Sequence, residues 1–103
     1  MDIKFFDARV EKFIRSLDSF TVAKVLRTID LLEIFGPKLA FPHSKKVAAR
    51  LFELRIRGKQ EVRVFYAFHN NSVILLHCFI KKSERIPKNE LAVALGKLRS
   101  IDL

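Results

Sequence analysis

The residues of this chain whose types and spacing can do chemistry lie in the run LFELRIRGKQEVRVFYAFHNNSVILLHCFIKK, from Leu51 to Lys82, and just beyond it. Arg55, Arg57 and Arg63 carry guanidinium forks that match phosphate oxygens. His77 carries an imidazole, a group able to give or take a proton. Lys81 and Lys82 add ammonium groups able to stabilise negative charge, and Phe65 and Phe79 add rings of the kind that stack on bases. His43, His69 and His77 lack the spacing of a local ligand pair and have no accompanying carboxylate, so no metal and no other cofactor is expected. The chain contains no P-loop, dinucleotide fingerprint, nucleophile elbow or paired acidic dyad.

Strands must position these groups. Three runs rich in Val, Ile, Phe and Leu are separated by Gly58-Lys59-Gln60 and by Asn70-Asn71, which predicts an antiparallel meander of strands at 51–57, 62–69 and 72–80. Successive strand side chains point to opposite faces. One face then collects Phe52, Leu54, Ile56, Val64, Tyr66, Phe68, Ile74, Leu76, Cys78 and Ile80, and is greasy. The other collects Glu53, Arg55, Arg57, Arg63, Phe65, Ala67, Leu75, His77 and Phe79, with Lys81 continuing the parity. A merely solvated face would favour Lys, Glu, Thr and Ser, whereas this one mixes cations with rings.

The flanking sequence reads as helical support. Asp7 can cap a helix whose apolar positions Val10, Phe13, Ile14 and Leu17 share one face. Asp18 or Ser19 can cap a second helix running to about Phe35, with Val22, Val25, Leu26, Ile29, Leu32 and Phe35 inward, and Gly36-Pro37 stops it. The two helices are expected to form a hairpin on the greasy face. Residues 3–6 could be a short strand but are too few to assign from their pattern alone, and 37–50, with two prolines and Lys45-Lys46, read as a loop. After a basic exit loop, KKSERI, Pro87 opens a final helix carrying Leu91, Ala94, Leu95 and Leu98 at helical spacing, with Gly96 weakening its end. The expected fold is α+β: an N-terminal helical hairpin packed on a small antiparallel sheet of three to four strands, with a short C-terminal helix.

At 103 residues, half of them hydrophobic, the chain is expected to be a single domain over 1–103 with one modest core. Its net charge of +9 implies a polyanionic partner. The excess is uneven: residues 1–42 balance at +1 and residues 43–103 at +8, so it travels with the sheet. A single cysteine excludes an internal disulfide and suggests a reducing compartment. No apolar run approaches the roughly 20 residues of a membrane span, and the early acid Asp2 argues against a secretory leader. A cytoplasmic protein without membrane partners is expected.

The element order, together with Glu53-Leu54-Arg55, Arg63 to Tyr66 (RVFY), and His77 to Lys82 followed by Pro87-Lys88, resembles the RelE/HigB-type toxins of bacterial type II toxin-antitoxin modules, in the subgroup related to phage-derived killer proteins. The resemblance covers nearly the whole chain. It implies a ribosome-dependent endoribonuclease, an mRNA interferase that cuts mRNA in the ribosomal A site, inhibits translation and is silenced by a cognate antitoxin. Carried over by motif, it points to Arg55, Arg63, His77, Phe79, Lys81 and Lys82. With the reading of the residues themselves, Arg55, Arg63, His77, Lys81 and Lys82 are expected to be catalytic, and Lys45, Lys46, Arg57, Phe65, Phe79, Arg85 and Lys88 to bind RNA. The chain ends KLRSIDL, without the histidine-rich tail or C-terminal tyrosine that some members use.

Cleavage of RNA by side chains alone needs three things: deprotonation of the 2′-OH, stabilisation of the phosphorane-like transition state, and protonation of the leaving 5′-oxygen. His77 or a lysine could move the protons while the arginines hold the phosphate. Two other readings stay open on the residues alone. The chain could be a non-catalytic basic RNA- or DNA-binding module, or an interaction subunit whose basic face only receives an acidic antitoxin segment.

Overall fold

The structure is a computed structural model that describes residues 1–101. Its elements run β1 (Asp2–Phe5), α1 (Ala8–Arg15), α2 (Ser19–Phe35), a 3-10 turn (Gly36–Lys38), β2 (Ser44–Ala48), β3 (Leu51–Ile56), β4 (Val62–His69), β5 (Ser72–Ile80) and α3 (Lys88–Ile101). The helix starts follow the side chains expected to cap them. The Asp7 carboxylate accepts the backbone N–H groups of Arg9 and Val10 at 3.0 and 3.3 Å, and that of Asp18 accepts the N–H of Thr21 at 2.9 Å. Gly36, at φ 53°, ends α2 in the left-handed region that only glycine enters cheaply.

The sheet is larger than the pattern suggests. It has five strands in the order β1-β5-β4-β3-β2, not three to four, and it is not purely antiparallel, because β1 joins β5 in parallel from Asp2–Ser72 to Phe5–Leu75. A strand therefore precedes the helical pair, which is not N-terminal, and the expected loop at 37–50 contains β2. Both missed strands lie at edges. Four residues carry too little alternation to declare β1, and its pairing is with a distant segment. In β2 the exposed Lys45 and Lys46 are the charged residues that blunt an open edge, so the strand reads locally as a polar loop. The meander itself is as expected, and Asn70 and Asn71, with φ of 47° and 64°, make its two-residue turn.

The sheet is covered on both sides. Val10 and Ile14 of α1 and Val25 and Leu32 of α2 pack with Leu54, Ile56, Val62, Val64, Tyr66, Val73, Leu75 and Cys78. On the opposite side Ala94 and Leu98 of α3 pack with Leu51, Phe65, Ala67, Ile74, Leu76 and Phe79. Strict alternation fails in β5. Phe65 pairs with His77 but Tyr66 pairs with Leu75, so Leu76 is the extra residue of a bulge. Upstream of the bulge the faces are exchanged: Ile74 and Leu76, expected on the greasy face, lie under α3, while Leu75 joins the α1 and α2 side. Lys97 of α3 donates to the Leu76 carbonyl at 2.9 Å and pairs with Asp7 at 3.3 Å, which ties the bulge and the start of α1 to one side chain.

Two further expectations change. In α2 the buried residues are Thr21, Val25, Thr28 and Leu32, whereas Leu26 and Phe35, expected inward, are half exposed. Apolar residues occupy more of that helix than one stripe, so spacing alone did not select the inner one. The C-terminal helix is not short: it has 14 residues and continues through Gly96 to Ile101. Among the described residues no helix is long and apolar enough to cross a membrane.

Two measurements test this packing. A Cβ at Gly96 would meet only the Arg99 guanidinium, at 3.9 Å, so Gly96→Ala should raise stability by about 0.5–1 kcal/mol, seen as a melting temperature a few degrees higher. Burial, reinforced by the nearby Glu90 charge, pushes the Cys78 thiol up to about 12. The thiolate is the reactive form, so iodoacetamide at pH 8 should leave Cys78 unmodified in native protein and alkylate it in denaturant, as read by mass spectrometry.

Candidate functional site

Arg55 and Arg63 are direct cross-strand partners on β3 and β4. Two guanidinium groups so placed repel each other. Glu53, two residues before Arg55 and on the same face, resolves the conflict: its Oε1 lies 3.6 Å from the Arg55 Nε and 3.5 Å from the Arg63 Nε. All three side chains are largely withdrawn from solvent, at 4%, 11% and 3% exposed for Glu53, Arg55 and Arg63. Arg63 also donates from Nη1 to Glu61 at 3.1 Å and to the Val62 carbonyl at 3.2 Å. Arg63 thus sits between two carboxylates, each from a Glu-x-Arg triplet that places acid and base on one face of a strand.

The exit loop brings in the ammonium groups. The Lys81 N–H donates to the Glu61 carbonyl at 2.7 Å, which extends the β4–β5 ladder by one step and sets the loop beside the start of β4. A hollow of about 390 Å³ results, lined by Arg55, Arg57, Glu61, Arg63, Lys81, Lys82, Ser83 and Glu84. Five basic groups from three chain segments converge there with two carboxylates. Arg55 and Arg63 form its partly buried floor, and the exposed Arg57 and Lys82 stand on its walls.

His77 is not among them. Its Nε2 lies 2.9 Å from the Glu90 carboxylate of α3, and the ring lines a separate hollow with Arg9, Phe13, Cys78, Val93 and Lys97. Phe65 and Phe79 are not stacking platforms either. They are 0% and 3% exposed, with ring centroids 5.4 Å apart in the core beneath α3. The reason is the same for all three: α3 must cover the apolar half of this face, and it takes their outer surfaces. Lys45 and Lys46 are exposed on the edge strand β2, Arg85 in the exit loop and Lys88 at the start of α3, and none of the four lines the hollow. Sequence reasoning missed Glu53 and Glu61 as site residues, although the repeated triplets ELR and EVR carried the signal.

A family model described as Phage derived protein Gp49-like (DUF891) matches residues 12–99. The chain belongs to this family. The matched segment includes both Glu-x-Arg triplets and the basic exit loop, so the hollow lies wholly inside the Gp49-like region. No curated protein matches the chain.

Removing one partner of a buried ion pair leaves uncompensated charge. Glu53→Gln should therefore lower stability by roughly 3 kcal/mol, whereas Glu61→Gln, at a 39% exposed carboxylate, should cost about 1 kcal/mol or less. Urea denaturation of the two variants side by side checks this. Equal costs would remove Glu53 from its organising role.

Proposed function

We propose that this Gp49-like protein is the toxin of a type II toxin-antitoxin module, and that it cleaves mRNA in the ribosomal A site by attack of a 2′-OH on the adjacent phosphate. The observation that carries this reading is the convergence of Arg55, Arg57, Arg63, Lys81 and Lys82 on one hollow. Family membership and the resemblance to RelE/HigB-type toxins support the toxin setting. In the proposed reaction the guanidinium groups hold the scissile phosphate and offset the charge that grows on it. Glu61, already bonded to Arg63, takes the 2′-OH proton, and Lys81 or Lys82 protonates the leaving 5′-oxygen. An acidic segment of a cognate antitoxin covers the same cations and silences them.

One observation favours a second reading. With His77 engaged by Glu90 outside it, the hollow holds no imidazole to give and take protons, as expected of a basic RNA- or DNA-binding module without catalysis.

The deciding experiment maps mRNA 5′ ends after induction in translating cells. Arg63→Ala is a poor probe, because it would remove one of the two guanidinium partners of the buried Glu53 and disturb the fold as well as the site. The exposed Arg57 and Lys82 are better. Arg57→Ala with Lys82→Ala should reduce cleavage by about 100-fold or more while the fold is retained, and His77→Asn should leave cleavage nearly unchanged. Undiminished cleavage by the double variant would move the active site elsewhere. RNA binding without any cleavage by the parent would establish the second reading.

A further inference from the structure

The aromatic group nearest the basic hollow in function is not one of the buried rings but Phe41. It lies in the turn between the 3-10 turn and β2 and is 70% exposed. The turn is held at several points. His43 donates its N–H to the Ala40 carbonyl at 3.0 Å, Arg55 donates its backbone N–H to the His43 carbonyl at 2.8 Å, and the Ser44 hydroxyl bonds the buried Tyr66 hydroxyl. The Arg55 guanidinium carbon lies 5.0 Å from the centre of the Phe41 ring, so a cation already covers one side of the ring.

A second hollow is linked to this ring through Arg55 and the neighbouring Pro42, both of which line it, although Phe41 itself does not. It measures about 330 Å³, and its lining includes Lys24 and Arg27 of α2, Pro42, His43, and the same Arg55 and Arg57 that border the first hollow. Lys24 donates to the Arg57 carbonyl at 3.2 Å, fixing the helix against the end of β3. Arg55 and Arg57 therefore form a saddle between two basic depressions, with an exposed aromatic ring beside it. Alternating cations and rings are how proteins hold single-stranded nucleic acid, the cations following the backbone and the rings receiving bases. An acidic protein segment would use the cations but has no need of the ring.

We propose that the second hollow takes the phosphate of a nucleotide flanking the one in the first hollow, and that the base of this flanking nucleotide stacks on Phe41. The inference rests on the RNA reading given above but not on catalysis. It makes the site at least two nucleotides long and selective for unpaired RNA, because a paired base offers no free face to the ring.

The chain contains no tryptophan, so Phe41→Trp introduces a single indole at the point in question, excited selectively over Tyr66 at the red edge of its absorption. The variant is titrated with a short 2′-O-methyl RNA, which lacks the attacking hydroxyl, and with an abasic strand of equal length and charge. The base-bearing strand should quench the indole, and the abasic strand should bind more weakly without quenching. Phe41→Ala should weaken binding of the base-bearing strand roughly tenfold or more, and Arg27→Ala should lower the salt slope by about 0.7. No binding at low salt, binding without quenching, or equal quenching by the abasic strand would overturn the proposal. So would quenching by an acidic peptide and not by RNA, which would assign the ring to a protein partner. Cleavage is scored separately in translating cells. Quenching with no cleavage leaves this site standing and removes the nuclease, while cleavage without quenching does the reverse.

Discussion

A single carboxylate makes the basic face possible. Arg55 and Arg63 stand opposite each other on neighbouring strands, and both are mostly shielded from water. Two positive charges in that position would push the strands apart or leave the sheet for solvent. Glu53, on the same face, lets them remain side by side with their charge partly offset. Ion pairs of this kind add little net stability once desolvation is counted, so what Glu53 contributes is placement. It holds two guanidinium groups at fixed positions on rigid strands, which a flexible loop could not do.

The second constraint is the competition for one face of the sheet. Phe65, Ala67, Ile74, Leu76 and Phe79 make half of that face apolar, and α3 lies over it with Ala94 and Leu98. The cationic half stays open because the helix begins only at Lys88, and its first turn meets the sheet where Glu90 contacts His77. The boundary between covered and open surface therefore runs between His77 and Arg63, which is why an imidazole only one strand away from Arg63 does not share its hollow. The bulge at Leu76 matters here too. It turns Ile74 and Leu76 toward α3 and gives the helix enough apolar surface to dock.

Much of this was legible in the residues. The caps Asp7 and Asp18, the stop at Gly36, the meander and its Asn70-Asn71 turn all follow from local chemistry. So does the clustering of arginines and lysines at one end of the sheet. What was not legible depends on distant partners. β1 and β2 are strands only because β5 and β3 accept them, and the bulge is a matter of register that alternation cannot announce. The fates of His77, Phe65 and Phe79 were set by α3, a segment read correctly as a helix; local pattern could not decide between its covering the two rings and leaving them open to bases. Phe41 lay in a stretch whose prolines and lysines obscured its role as an exposed ring against Arg55.

The parallel edge has a consequence for how the chain is made. Ile3 finds its partner in Val73, so β1 is made well before the strand it must pair with. Until β5 emerges, β1 has no neighbour and the α1 side of the sheet lacks Val73 and Leu75. Contacts of such long sequence separation close slowly. The fold cannot seal until β5 has been made, so a nascent fragment ending short of β5 carries the cations of β3 and β4 without the loop that completes their hollow.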